Sequence, residues 1–222
     1  MENYSIFDII GPVMIGPSSS HTAGAAKIGY LARKILDDKL KKVNIILHGS
    51  FAKTGDGHGT KVAILAGLLG INHYDERLKD AYKIAEEENI EFSYSNKKLG
   101  EVHPNTVKIE MESISGKVCS VIGSSIGAGK IKIINIDNIF VDFDSEYNTL
   151  ILRYSENKEI IHNISRVFFE KNIEIDYMKM YKDDENENIL IIETSSNVSE
   201  NIIELISNNK LDSIRYIERL EA

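Results

Sequence analysis

VNIILHGSFAKTGDGHGTKVAILAGLL, residues 43–69, places a strand, a glycine-rich loop and a helix in direct succession. Val43-Asn44-Ile45-Ile46-Leu47 reads as a buried strand. The loop runs to Gly59, and Val62, Ala63, Ile64, Leu65 and Leu68 then form an apolar helix that belongs inside a domain. Upstream, Ser18-Ser19-Ser20 precedes a helical pattern that sets Ala25, Ile28, Ala32 and Ile35 on one face, and a serine is a natural N-cap. Downstream, residues 76–89 read as an amphipathic surface helix. Residues 106–111 and 117–122 read as a strand pair joined near Ser115-Gly116. This part of the chain is therefore α+β.

From Asn148 the pattern becomes strand (150–154), helix (159–171), strand (173–181), strand (189–194), helix (200–209) and strand (214–219). That βαββαβ order predicts a ferredoxin-like arrangement, with two helices on one face of an antiparallel sheet. Asp183-Asp184-Glu185-Asn186 fits a polar hairpin loop between the middle strands. The texture changes near Asp144-Ser145-Glu146-Tyr147-Asn148, and no glycine follows Gly129. Two domains are expected, over residues 1–145 and 148–222. The tight turns and close backbone approaches that glycine permits, and with them the sites, fall in the first.

The chain has 222 residues, of which 42% are hydrophobic and 27% charged, as in a globular protein with a real core. A net charge of -8 opposes a phosphate-tracking surface, so nucleic acid is not an expected partner. No apolar run approaches the ~18 residues of a membrane span, and Met1-Glu2-Asn3-Tyr4 is not followed by a signal-peptide core, so a cytoplasmic protein is expected. The single cysteine, Cys119, lies in the apolar stretch Val118-Cys119-Ser120-Val121-Ile122 and reads as a small buried filler. Alone it forms no internal disulfide and cannot supply the thiolates of an iron-sulfur cluster.

Two segments concentrate chemistry: Gly16-Pro17-Ser18-Ser19-Ser20-His21-Thr22-Ala23-Gly24, and residues 48–60 with Thr54, Gly57, His58, Gly59 and Thr60. Each is a loop that feeds a helix. Hydroxyls and free backbone N–H groups at a helix N-terminus receive a carboxylate or phosphate, helped by the helix dipole. His21 and His58 lie within these loops and titrate near neutral pH, which suits them to orient a small acid or move a proton. Each feature also has a plainer reading. The serines and threonines serve as caps and turns, and a single histidine more often makes a structural hydrogen bond. The glycine and hydroxyl setting that His21 and His58 share favours function, whereas His48, His73, His103 and His162 lack it. A zinc site is not expected from two histidines separated by 37 residues without nearby cysteines. The spacing of Gly55, Gly57 and Gly59 is not a dinucleotide fingerprint, and there is neither a P-loop nor a Gly-x-Ser-x-Gly elbow.

GPSSSHTAG (16–24), HGSFAKTGDGHGT (48–60), VHPNT (102–106) and SSIGAGKI (124–131), in that order, resemble the β chain of the bacterial two-subunit iron-sulfur L-serine dehydratases. The resemblance covers essentially the whole chain. It implies a lyase that eliminates water from L-serine without pyridoxal phosphate, giving pyruvate and ammonia, a step of amino-acid degradation that feeds gluconeogenesis. It also implies a partner α subunit whose [4Fe-4S] cluster acts as Lewis acid on the serine hydroxyl, with no cofactor bound by the present chain. The first domain would resemble an allosteric substrate-binding domain and the second an ACT domain, in a hetero-oligomer with self-association through the ACT domain. His21 and His58 become the catalytic candidates; Ser18, Ser19, Ser20, Thr22, Thr54, Gly57, Gly59 and Thr60 become the contacts for L-serine. A purely regulatory amino-acid-binding subunit is the alternative. Three positions depart from the family pattern. Lys61 stands where an aspartate usually follows GHGT, and Ala128 interrupts a run of glycines. No glycine follows the first ACT strand in Tyr154-Ser155-Glu156-Asn157-Lys158-Glu159, so assembly rather than amino-acid sensing is expected of that domain.

Overall fold

The computed structural model describes residues 14–144, 146–155, 158–182 and 187–220, and the chain separates into two compact units, the first ending at Asp137 and the second beginning at Asn138. The hairpin loop expected at residues 183–186, the N-terminal residues Met1 to Tyr4, and Glu156-Asn157 lie outside the described residues.

In the first unit a π-helical turn, Ser19–Gly24, runs directly into helix α1 (Ala25–Leu36), and β1 (Leu40–Leu47) follows. Next come α2 (Gly49–Thr54), α3 (Thr60–Leu68), a 3₁₀ turn at Glu76–Asp80 and α4 (Ala81–Glu87). Strands β2 (Glu91–Asn96), β3 (Thr106–Ser113), β4 (Val118–Gly127) and β5 (Lys130–Ile136) complete the unit. The strands lie in the order β2-β1-β3-β4-β5. β1 pairs in parallel with β2, with Leu47 opposite Asn96, and antiparallel with β3, with Leu47 opposite Val107. A parallel pair needs a crossover, and α2, α3 and α4 supply it. The face of α1 foreseen from spacing is buried, with Ala25, Ile28 and Ala32 fully covered and Ile35 nearly so, but Ala26, Gly29, Leu31 and Leu36 are buried as well, so the helix is covered on most of its circumference. Fully burying a large aliphatic side chain such as Ile28 or Leu31 contributes about 1.5–3 kcal/mol.

Helices α1 and α3 touch backbone to backbone. A Cβ on Gly29 would lie 2.2 Å from the Ile64 carbonyl oxygen, and a Cβ on Gly67 would lie 2.0 Å from that of Ala26. The two helices run side by side in the same direction, because Thr22 meets His58 before their starts while Arg33 and Leu69 line one cavity at their ends. α1 ends at Asp37, which adopts φ 50 and donates its N–H to the Arg33 carbonyl, turning the chain back into β1.

The second unit contains β6 (Ile139–Phe143), β7 (Asn148–Tyr154), α5 (Ile160–Glu170), β8 (Tyr177–Lys182), β9 (Asn188–Thr194), α6 (Glu200–Ser207) and β10 (Ser213–Ile217). Its antiparallel sheet has the order β10-β7-β9-β8. Leu150, Leu152, Leu190 and Ile192 from the central strands form one core with Ile164 and Phe168 of α5 and Ile202 and Ile206 of α6.

The chain is thus α+β, and it differs from the sequence reading at several elements. β8 begins at Tyr177 rather than at residue 173, because Ile173 and Ile175 pack on the core from the segment that closes α5, where the Ile173 N–H meets the Phe168 carbonyl. β2, β5 and β6 are additional strands, and α2 forms inside the stretch expected to be loop. In β2 only Phe92, Tyr94 and Ser95 are even partly covered, so its apolar pattern is thin.

Ala at position 67 would gain about 1 kcal/mol of helix propensity but meet the Ala26 backbone, which has no flexible end to yield. Overpacking of this kind costs about 1–3 kcal/mol. Gly67→Ala is therefore expected to lower the free energy of unfolding, measured by urea titration. His73 carries a second expectation. Its ring is buried, its Nε2 has no hydrogen-bond partner among the described residues, and burial followed by the Lys27 ammonium pushes its pKa down to about 4. Because the folded value lies below the unfolded one, His73 contributes stability that is full above about pH 6.5 and is lost as the pH falls toward about 4, some ~3 kcal/mol in all. His73→Gln should flatten that part of the stability–pH curve.

Candidate active site

Ser18 sits just before the π-helical turn in an extended conformation, and its Oγ accepts the His21 backbone N–H at 3.1 Å while its carbonyl accepts Thr22 N–H at 2.8 Å. This is the serine cap read from the sequence. The wide π turn then passes close to β4: a Cβ on Gly24 would lie 2.2 Å from the Ser125 Oγ. His21 is thereby held half-buried at the entrance to α1.

The second loop is anchored on the VHPNT segment. Gly49 adopts φ 53 with its Cα against Pro104, where a Cβ would lie 2.5 Å from the Pro104 carbonyl oxygen, and the Ser50 N–H donates to that same oxygen at 2.8 Å. The short helix α2 follows and buries Phe51 completely. Thr54 Oγ1 donates to the Ser50 carbonyl at 2.9 Å, and the Thr54 carbonyl accepts His58 N–H at 3.0 Å. Gly59, at φ 71, turns the chain into α3. Lys61 forms an ion pair of 2.8 Å with Asp56 across the loop, so a carboxylate remains beside GHGT even though residue 61 is a cation.

The two loops converge. His21 Nε2 lies 3.0 Å from Ser50 Oγ, and its Nδ1 lies 3.4 Å from Ser18 Oγ. The His21 and His58 rings are 5.2 Å apart between centroids, and Phe51 presents its ring to His21 at 5.4 Å. Thr22 Oγ1 donates to the His58 carbonyl at 3.2 Å, tying the π turn to the second loop. Burial lowers the His21 pKa below its ordinary value, and the neighbouring His58 lowers it further. At neutral pH His21 is a neutral imidazole between two hydroxyls, one ring nitrogen donating and the other accepting. Such a group can accept a proton, whereas His58 is exposed.

Of the other residues singled out in the sequence, Thr60 is fully buried at the start of α3 and its hydroxyl has no partner among the described residues. At this helix start the Lys61 N–H meets the Gly55 carbonyl and the Ala63 N–H meets the Gly59 carbonyl. Thr54 is committed to its own helix. Gly57 is exposed, and Ser19 and Ser20 make no side-chain hydrogen bond among the described residues. The remaining histidines lie outside the pair: His48 Nδ1 accepts Leu99 N–H, His103 Nδ1 accepts Asn105 N–H, and His162 is exposed. Sequence reasoning passed over Ser50 and Phe51. The available signal was a hydroxyl directly after Gly49, in the same motif as His58. No group of three or more His, Cys, Asp or Glu suited to a metal ion occurs among the described residues. Cys119 is buried on β4 opposite Met111.

A family model for the serine dehydratase beta chain matches residues 5–135. The chain is similar to the "L-serine dehydratase, beta chain" of Peptoniphilus asaccharolyticus, with 43% identity over 177 residues, 78% of this chain and 80% of that protein. It is also similar to the "Probable L-serine dehydratase, beta chain" of Bacillus subtilis (strain 168), with 36% identity over 221 residues and 99% of each chain. The "L-serine dehydratase 1" of Escherichia coli (strain K12) is 45% identical over 71 residues, which span 30% of this chain and 15% of that protein.

NMR titration of the histidine rings is expected to show a His21 pKa below 6.5. In His58→Gln the neighbouring positive charge is gone, so the His21 value should rise toward 6.5 while remaining lowered by burial.

Proposed function

The chain belongs to the serine dehydratase β-chain family, and on that premise we propose that it is the cluster-free subunit of a two-chain L-serine dehydratase and lends His21 and His58 to an active site completed by the partner α chain. The observation that carries the reading is the meeting of His21, Ser50 and His58 from two separate loops, with His21 kept neutral by burial. Eliminating water from L-serine requires a proton to leave the α-carbon and a hydroxyl to depart protonated. A neutral imidazole serves the first task, and a second, exposed imidazole beside it serves proton exchange. The substrate carboxylate would sit at the N-terminus of α3, beside the unpartnered Thr60 hydroxyl and the positive end of the helix dipole. Ser18 and Ser50 hold the His21 ring from both nitrogens.

The residues present do not fit an iron-sulfur cluster, which needs about four ligands, mostly thiolates. One buried cysteine is all the chain contains. We therefore place the family's [4Fe-4S] cluster on the α chain, and no proton transfer assigned here depends on its geometry. No described helix is long and apolar enough to cross a membrane.

The second unit is read as an ACT domain of ferredoxin-like topology, supported by the element order and by the two helices packed on one face of its sheet. Its turn after β7 is already in use, since Asn188 Nδ2 donates to the carbonyls of both Tyr154 and Ser155, and Ser155 Oγ donates to Asp212. Those internal bonds favour a role in assembly over amino-acid sensing.

His21→Ala and His58→Ala are each expected to lower serine-dependent pyruvate formation by the reconstituted two-chain enzyme by about 10²–10⁴. Both should co-purify with the α chain and melt near the wild type. Retention of more than about a third of kcat/KM in both would amount to under 1 kcal/mol of transition-state stabilisation and would remove the shared-site reading. Appreciable turnover by the α chain alone would favour a purely regulatory subunit instead.

A further inference from the structure

The ends of α1 and α3 remote from the histidines form a second feature. Two adjoining cavities, of about 580 and 490 Å³, share Arg33, Lys39 and Leu69. Both volumes fall in the range of small-molecule sites. Lys34 extends the cationic side of the first. A cation at the end of a helix ordinarily serves the terminal carbonyls, but here that work is done by others. Lys117, from the turn between β3 and β4, donates to the Leu36 carbonyl, and the Asp37 N–H takes the Arg33 carbonyl. The Arg33 guanidinium and the Lys39 ammonium have no hydrogen-bonded or ion-paired partner among the described residues. Arg33 is nevertheless half-buried at the boundary of the two cavities.

Of the acidic groups nearby, Asp37 and Asp38 line the first cavity with the cations, and Glu87 and Glu88 line the second. The Asp38 carboxylate is taken up by Ser115, which with the other bonds to it holds its pKa at about 2. Glu87 pairs with Lys83 at 3.7 Å. Glu88 lines the second cavity together with Arg33, and it has no ion pair among the described residues. Leu68 and Ile90 give that cavity an apolar side. A planar guanidinium receives a carboxylate through two parallel hydrogen bonds, Glu88 offers a counter-charge for an ammonium, and the apolar lining suits an aliphatic body. The acidic rim disfavours polyanions such as phosphates.

We propose that this double cavity is a binding site for a zwitterionic amino acid with an aliphatic side chain, its carboxylate on Arg33 and Lys39 and its ammonium toward Glu88. The site is separate from the histidine pair: α1 has 12 residues, so at about 1.5 Å per residue some ~18 Å of helix lies between them. It does not depend on the catalytic reading, because its test measures binding to the full chain rather than turnover.

The test is an amide NMR titration of the isotopically labelled full chain at constant ionic strength with L-valine, 3-methylbutanoate and inorganic phosphate in turn. L-Valine is expected to shift the amides of residues 33–39, 68–70 and 87–90 saturably, with a Kd on the order of 1 mM. The carboxylate without the ammonium should bind at least about fivefold more weakly, and phosphate should give no saturable shift there. Arg33→Met should weaken L-valine about tenfold or more, and Lys39→Met, on the exposed side of the cavity, should weaken it with the spectrum otherwise unchanged. The proposal is overturned by an absence of saturable shifts with L-valine, by equal or tighter binding of 3-methylbutanoate or phosphate, or by unchanged L-valine affinity in folded Arg33→Met or Lys39→Met.

Discussion

The contact between α1 and α3 at Gly29 and Gly67 is the constraint on which the first unit depends. Two helices that carry side chains at their crossing stay about 8–10 Å apart. Here each presents a bare backbone, so the Ala26 and Ile64 carbonyls reach the partner helix directly. Because both helices start at the same end, the turn that precedes α1 and the loop that precedes α3 are forced against each other. Thr22 then reaches the His58 carbonyl, and the His21 ring reaches Ser50 and His58. A methyl group at the crossing would separate not only two helices but also the two imidazoles.

What results is a polar site partly withdrawn from water. Withdrawal alone sets the sign of the His21 shift: the charged imidazolium loses more hydration than the neutral ring, and a second histidine nearby adds repulsion in the same direction. The same withdrawal leaves costs behind. The hydroxyls of Thr60 and Ser125 are buried without partners among the described residues, at roughly 1–3 kcal/mol for each such group. Thr60 belongs to α3 and Ser125 lies against the π turn that begins α1, so both orphans border the two loops.

The sequence made the larger elements legible because their apolar periods are strong: α1, β1, α3, and the run of strands and helices after Asn148 all follow from spacing. The histidine pair was legible because both members share a setting of glycines and hydroxyls ahead of a helix. Ser50 was not, since nothing local says that a hydroxyl at the start of α2 will face an imidazole 29 positions earlier in the chain. β2 was not either, because a strand at the margin of a sheet carries little apolar surface. Lys61 shows the limit from another direction. As a sequence letter it replaces a carboxylate with a cation, yet in space it binds the carboxylate of Asp56, five residues earlier, and so keeps an acid at the loop.

That ion pair also bears on how the His58 loop is held. Asp56 is well exposed, and a pair of this kind contributes about 1 kcal/mol or less. It cannot by itself set the position of an imidazole. The stronger tie runs from Lys61 to β2: the Tyr94 hydroxyl donates to the Lys61 carbonyl at 3.1 Å, and the Lys61 ammonium lies 5.7 Å from the centre of the Tyr94 ring. Tyr94 in turn packs against Phe92 and Tyr82, and burial pushes its phenol pKa well upward, so it stays a neutral donor. β2 is locked in register by its parallel pairing with β1, whose Leu47 immediately precedes the histidine loop. The loop is thus bounded on one side by β1, from which it emerges, and tied on the other to β2, which the same crossover creates. The position of His58 therefore rests on the parallel β1–β2 unit as well as on the contact between α1 and α3.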